Sequence, residues 1–526
     1  MSLHRQTERL RRAFRDRGLL FVLFLLWPAL LVDTAGPPMV DSTLLASIRL
    51  VDHHTWTLSD ETDPTVVFLT EAHDISSHDG RVYSGVGPGA SVVAVPFYFV
   101  FKPLFSLFPE RVIANSRILN YYTTLGRTLG RPKPGHFKDM YLLQLVLAWC
   151  LMGPLFASFL IRLHRLLTVR GCNRAQATMV AIALGLGSML LYYSSMYSRQ
   201  GLAYLLVWHA ILTLGDSRAP NRRSCIIVGL LCGAAVPIDY SSALLVGLTL
   251  AFLLPRLAMP QRLLVLSPVV VLLGLTALYH QSCFGSPFAT PYHHRFWITP
   301  ESLAAQGLDL SAFQRGPLLG MNPPSFGVMF RLCFGLFKGL FVHNPILLLG
   351  LIGNLLGLRS GENRRIHAFC LLVFSGYLIF NSTLGTHVPE YGRHFWGGLS
   401  VLWGPRYLFA VLPFLAFGLA QLDWRRVWVR WSCYGVLLVS CVVNILGAMF
   451  SHVMMASQAF GPELAFPLAY ASKLLVGLGP RVTILDGYGA SPVVQGAVLL
   501  AVVALSVLLL QTHLRQTRKS LGYSDP

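Results

Sequence analysis

The sequence predicts an all-α polytopic membrane protein, with about 12 transmembrane helices and a long first extracytoplasmic loop. Three observations carry this. The 526-residue chain is 54% hydrophobic and only 12% charged, whereas soluble domains carry about 25% charged residues. Its mean hydropathy of +0.56 is too high for one soluble core, because such cores stop growing near ~250–300 residues. Its Lys and Arg residues sit in short clusters between apolar runs, which is the charge bias of cytoplasmic loops. The net charge of +19 therefore reads as membrane topology, not as a nucleic-acid-binding surface.

Taken in chain order, residues 1–17 form a basic cytoplasmic N-terminus holding Arg5 to Arg17. The first apolar run closes without a small-x-small cleavage site and is read as a retained span. A span needs about 20 mostly apolar residues. Such runs begin near Gly18, Met140, Gln176, Gly201, Cys225, Ser241, Leu263, Pro345, His367, Tyr407, Trp431 and Pro492. With the N-terminus inside, every second turn falls on the cytoplasmic side. Those turns hold Arg162, Arg165, Arg170 and Arg174; Arg218, Arg222 and Arg223; Arg256 and Arg262; Arg359, Arg364 and Arg365; and Arg425, Arg426 and Arg430. The tail, residues 512–526, lands inside with Arg515, Arg518 and Lys519. Hydropathy and charge bias are independent signals, and they agree.

The stretch Ala90 to Leu107 is apolar, but reading it as a span would turn every later basic loop outward. Pro96, Lys102 and Pro103 also suit a straight spanning helix poorly. It is read as a flat or re-entrant element within a first extracytoplasmic loop of residues 36–139. A second large extracytoplasmic loop covers 280–344. Residues 18–511 make a single transmembrane domain, with no internal repeat, low-complexity tract or appended soluble domain. The nine cysteines form no CxxC pair and signal neither a disulfide framework nor a zinc site.

The first loop gathers Asp41, Asp52, Asp60, Glu61, Asp63, Glu71, Asp74 and Asp79 from a chain with 23 acids in all. A carboxylate at the membrane surface can serve as a general base on an incoming hydroxyl, or hold a divalent cation. The plainer reading of any one acid is a solvated loop residue. Asp41 follows the first span closely and is tethered at the depth of a lipid-linked headgroup. Asp74 and Asp79 each follow a histidine. Beyond them, Arg81, Tyr83, Gly87, Pro88 and Gly89 form a Gly/Pro-rich turn whose backbone could approach a phosphate or simply turn. Arg406 and Arg199 lie at outer span edges, where an arginine either grips a phosphate or snorkels beside belt aromatics such as Tyr407. No HExxH, GxSxG or Walker A motif occurs, and no Asp-x-Asp pair.

Three boxes carry a resemblance. The first runs Asp-Gly-Arg-Val-Tyr-Ser-x-x-x-Pro-Gly-x-Ser-x-x-x-x-Pro-x-Tyr from Asp79 to Tyr98. The second is Tyr-x-x-x-x-Phe-Gly-Ser-Pro-Phe from Tyr279 to Phe288, and the third is Gly-Pro-Arg-Tyr-Leu from Gly404 to Leu408. With the topology, they resemble the bacterial branch of the GT-C membrane glycosyltransferases, which are related to protein mannosyltransferases and lipid A aminoarabinose transferases. The resemblance implies helices lying along the membrane in the first loop. It implies transfer of a sugar from a polyprenyl-phosphate donor to a lipid, glycan or protein acceptor on the outer face of a bacterial inner membrane. It also implies a carboxylate base in the first loop, best matched by Asp41 with Asp74 and Asp79 as alternatives. Arg406, Arg199 and Tyr407 would hold the donor phosphate. The neighbours of Asp41, Val40 and Ser42, depart from the family's usual charged flanks, which leaves open a non-catalytic relative. A multi-span transporter or lipid flippase is the rival reading, with Asp239 as its main intramembrane acid. No metal site is expected among specific residues, and a divalent cation is compatible with the acidic loop.

Overall fold

The computed structural model describes residues 18–32, 38–60, 75–108, 137–215, 220–294, 322–359, 363–384, 403–456, 467–479 and 490–520, with the isolated positions 397 and 485. Asp74, both chain ends and much of the two large loops lie outside the described residues.

The described chain is mainly helical. Five helices are long and apolar enough to cross a bilayer: Lys138–Val169, Met259–Phe284, Arg364–Ser382, Val427–Phe450 and Pro492–Arg515. Their outer faces display Val270, Val271, Leu275, Leu278, Leu438, Leu500 and Leu508, all substantially exposed. Bare apolar faces of this extent call for lipid as the solvent. A helix stands at each of the twelve predicted positions, but among the described residues the other seven run to 17 residues at most. Seventeen residues rise about 26 Å, short of the ~30 Å hydrocarbon core. Breaks within the chain shorten several helices and perturb one long one. Arg174–Gly185 stops at a Gly185–Gly187 bend before a separate turn, Leu190–Ser194. Ser242–Leu253 ends in a 3-10 turn at Pro255, and the segment after Pro405 begins as 3-10 helix over Arg406–Val411. In Lys138–Val169, Pro154 lacks an amide hydrogen, and a π turn over Ala148–Met152 precedes it.

The expectation of a wholly helical chain needs one amendment. Ile75–His78 and Arg81–Ser84 form an antiparallel hairpin, and Ser59–Asp60 pairs on the other side of Arg81–Ser84. Asp79 and Gly80 are the two turn residues, with φ of 50° and 69°. Positive φ at both positions is what a type I′ hairpin turn demands, and Asp-Gly supplies it.

Helices Pro38–His53 and Gly89–Phe105 pack beside this hairpin. Ser47 donates to the Ser91 carbonyl at 3.0 Å and Ser91 donates to the Thr43 carbonyl at 3.1 Å. Gly89–Phe105 buries Ala90, Ala94, Tyr98 and Phe105 and turns Val92, Phe99, Val100 and Leu104 outward. The buried Tyr98 hydroxyl lies 3.1 Å from both Asp52 and Asp139, and Lys102 holds Asp52 at 2.7 Å. Burial, reinforced by Asp139 and Asp52, raises the Tyr98 phenol far above its ordinary range.

Close helix packing rests on small residues. Gly229 and Gly233 of Arg222–Ile238 lie against the backbone of Val265 and Val269, so that a Cβ at either would overlap it. This is the small-xxx-small seam of membrane helices, in which backbones approach because side chains are absent.

Candidate functional site

At the hairpin end of the bundle, four chain segments bring charged side chains together. Arg199 is the first residue of helix Arg199–Gly215. Asp239 ends helix Arg222–Ile238, whose Pro237 precedes the stop. Lys338 sits in a tight Gly335–Gly339 turn closed by a 2.6 Å Gly339 to Gly335 backbone bond. Arg406 follows Gly404 and Pro405, with Gly404 at φ 73°. All four side chains are buried, Lys338 to 1% exposure and Arg406 to 4%.

Arg199 Nε lies 3.1 Å from Asp239 Oδ2. The other oxygen, Oδ1, accepts from the Ser241 amide at 2.9 Å and from the Ser241 hydroxyl. Ser241 is held in turn by Tyr204 at 2.7 Å and, through its carbonyl, by Tyr377 at 2.9 Å. Asp239 is thus a fixed counter-ion rather than a free base. Arg406 lies over the Tyr407 ring at 4.8 Å and donates to its hydroxyl at 2.9 Å. Lys338, outside the twelve expected spans, has its pKa lowered well below the ordinary lysine value, first by burial and then by the Arg406 charge. Beneath these groups lies an aromatic floor in which Phe409 meets Tyr193 at 4.8 Å and Trp208 at 5.3 Å. Nearby His343 is pushed down to about 4 by burial and packs on Trp403 at 4.9 Å as a neutral ring.

Three basic side chains drawn together in a desolvated site, one of them paired with Asp239, disfavour one another's charged forms and lose hydration. Such convergence suits an oxyanion, above all a phosphate, which guanidinium and ammonium groups can share.

The predicted residues divide between several places. Arg199, Arg406 and Tyr407 belong to this cluster. Gly87, Pro88 and Gly89 abut its edge: a Cβ at Gly87 or Gly89 would overlap the backbone of Pro237 and Ile238. These glycines therefore let two protein segments approach, and Tyr197 secures the contact by donating to the Ala90 carbonyl at 2.6 Å. Tyr83 belongs to a separate small core with Tyr279, Cys283 and Phe284. Arg81 is exposed. Asp79, 86% exposed, forms the hairpin turn beside His78. Asp41 lies in helix Pro38–His53, whose next residue, Ser42, bonds to hairpin residue Ser84 at 3.1 Å. Among the described residues, no group of three or more His, Cys, Asp or Glu is placed to hold a metal ion.

Sequence reasoning missed Lys338. The available signal was a lone cation in the apolar run Phe334-Gly335-Leu336-Phe337-Lys338-Gly339-Leu340, where burying a lysine is costly and therefore calls for a reason. In comparisons with protein families and with curated proteins, no family model and no curated sequence matches this chain.

Proposed function

We propose that the chain is a membrane glycosyltransferase of GT-C type. It would move a sugar from a polyprenyl-phosphate donor to a lipid, glycan or protein acceptor on the extracytoplasmic face of a bacterial inner membrane, with both termini cytoplasmic. The observation that carries this reading is the convergence of Arg199, Lys338 and Arg406 in one buried, tyrosine-lined site.

In this scheme Asp41 takes the proton of the acceptor hydroxyl. The acceptor oxygen forms a bond to the anomeric carbon as the bond from that carbon to the phosphate oxygen breaks. The electron pair leaves with the polyprenyl phosphate, whose charge Arg406, Lys338 and Arg199 receive, and the anomeric configuration inverts. Phosphate is already a good leaving group, so the protein chiefly positions the reactants and balances charge. Asp41 is favoured over Asp79 because the turn at Asp79 faces solvent, while the helix carrying Asp41 is tied to the hairpin through Ser42. Asp74 is the alternative base.

The test is mass spectrometry of the envelope glycans and lipids of a deletion strain, complemented with the wild type or with Asp41→Asn. Loss of one sugar, restored by the wild type and not by Asp41→Asn, supports the scheme. The variant should fall about 10²–10⁴-fold in transfer. Full complementation by Asp41→Asn discards Asp41 as the base. An unchanged glycan profile together with solute flux in reconstituted vesicles would favour the transporter.

A further inference from the structure

A second site lies at the opposite end of the same helices. From Arg199 to Gly215 the chain rises about 24 Å along one helix, and at the Gly215 end a cleft of ≈ 360 Å³ opens between helices. Volumes of about 300–1,000 Å³ are those of small-molecule sites. The depth of the cleft is apolar and aromatic, lined by Trp208, Phe252, Phe369 and Phe414. Phe252 stacks on Phe369 with centroids 4.1 Å apart. The mouth is cationic. Arg170 and Arg256 line it, and the Arg256 guanidinium sits 3.8 Å above the Phe252 ring. Arg365 lies close enough that its charge and that of Arg170 act on Arg256; burial, then these two like charges, lower the Arg256 pKa. No carboxylate occurs among the described lining residues.

We infer that this cleft binds an anionic phospholipid, with one acyl chain in the aromatic groove and the headgroup phosphate held by Arg170, Arg256 and Arg365. The complementarity is twofold: apolar depth for the chain and a like-charged mouth that an anion relieves. The site stands at the basic ends of the helices, and the leaflet that attracts basic turns is the one rich in anionic lipid. Basic clefts between membrane helices on that side are general headgroup sites. The site is separate from the cluster around Arg406, and occupancy here is independent of the chemistry proposed there.

The experiment is native mass spectrometry of the full-length protein, released from mixed micelles of phosphatidylglycerol and phosphatidylcholine with matched chains. One phosphatidylglycerol should be retained in preference by about tenfold or more. Combined Arg170→Gln, Arg256→Gln and Arg365→Gln should bring the two lipids near parity. Gly215→Phe fills the groove with the arginines intact, because a Cβ there meets only the Leu166 methyls at 3.9 Å; it should remove the adduct without changing helix content. Equal retention of the two lipids by the wild type would overturn the inference and needs no variant. So would displacement of phosphatidylglycerol by inorganic phosphate or by polyprenyl phosphate, or an adduct that survives Gly215→Phe.

Discussion

A lysine 1% exposed with an arginine charge acting on it is a poor choice for stability alone. Buried charges replaced by apolar side chains of similar size often leave a fold unchanged or more stable. Lys338→Met should therefore hold or raise the unfolding temperature while weakening polyprenyl-phosphate binding about tenfold or more, as loss of a phosphate ligand does. Unchanged affinity would remove Lys338 from the site. Protons offer a sharper readout. Because the folded value of Lys338 is depressed, the unfolded chain holds the extra proton between that value and the ordinary ~10.4. Stability contributed by this group rises with pH through that window. An arriving phosphate favours the ammonium form and reverses the depression, so binding within the window takes up a proton. Titration calorimetry in buffers of different ionisation enthalpy should register that uptake, and Lys338→Met should abolish it. A purely structural lysine would give no buffer dependence. Tyr98 makes a contrasting case: its hydroxyl lies between Asp52 of one helix and Asp139 of another and donates its single proton to one carboxylate at a time. Tyr98→Phe should cost about 1.5–3 kcal/mol, the range for hydrogen bonds to charged groups, seen as a lower midpoint in thermal unfolding.

Helices were legible in the chain because hydropathy is a local property: a helix stands at every one of the twelve predicted positions. Their breaks were less so. The Gly185–Gly187 bend and the Pro405 break have local residues behind them, but where the chain goes next is set by distant contacts such as the Met189 amide donating to Asn344 at 2.6 Å, and no window of sequence contains such a contact. The hairpin was readable in principle, since Asp79-Gly80 between short alternating runs is a strong turn signal. Read as chemistry, His78-Asp79 instead drew attention as a candidate functional pair. The candidate site divides the same way. Arg199 and Arg406 stand out as cations at span edges, whereas the sequence shows Lys338 as a lone cation in an apolar run and only the tertiary fold brings it within reach of the Arg406 charge. Gly229 shows how far packing governs these helices. Its Cβ would overlap the Val265 carbonyl, so Gly229→Leu must separate Arg222–Ile238 from Met259–Phe284. A loss of about 1–3 kcal/mol or more is expected from overpacking, measurable as reduced detergent stability. Gly247→Leu, where a Cβ meets nothing within 4 Å, is the control that should be tolerated.

Charge distributes unevenly over the molecule, and this asymmetry makes orientation testable. The hairpin, the Gly87–Gly89 turn and the cationic cluster meet at the Arg199 end of helix Arg199–Gly215, while Arg170 and Arg256 gather around its Gly215 end. If short basic turns face the cytoplasm, the hairpin end must face outward, where a polyprenyl-phosphate donor would present its sugar. Cysteine labelling decides this without any knowledge of substrate. Cys150, Cys172 and Cys441, which are not fully buried, would first be replaced by Ser to lower the background. Arg81→Cys, Arg223→Cys and Arg425→Cys then each place one thiol at an exposed position. A membrane-impermeant maleimide applied to intact cells with a permeable outer envelope should label Arg81→Cys alone. The other two should react only after the inner membrane is opened. Labelling of Arg223→Cys or Arg425→Cys from outside would invert the molecule. The cationic cluster would then face the cytoplasm, and extracytoplasmic transfer would fall with it, while the five long apolar helices would still require a membrane. Equal labelling of all three thiols in intact cells would mean that hydropathy and charge bias, though they agree, do not fix the threading of this chain.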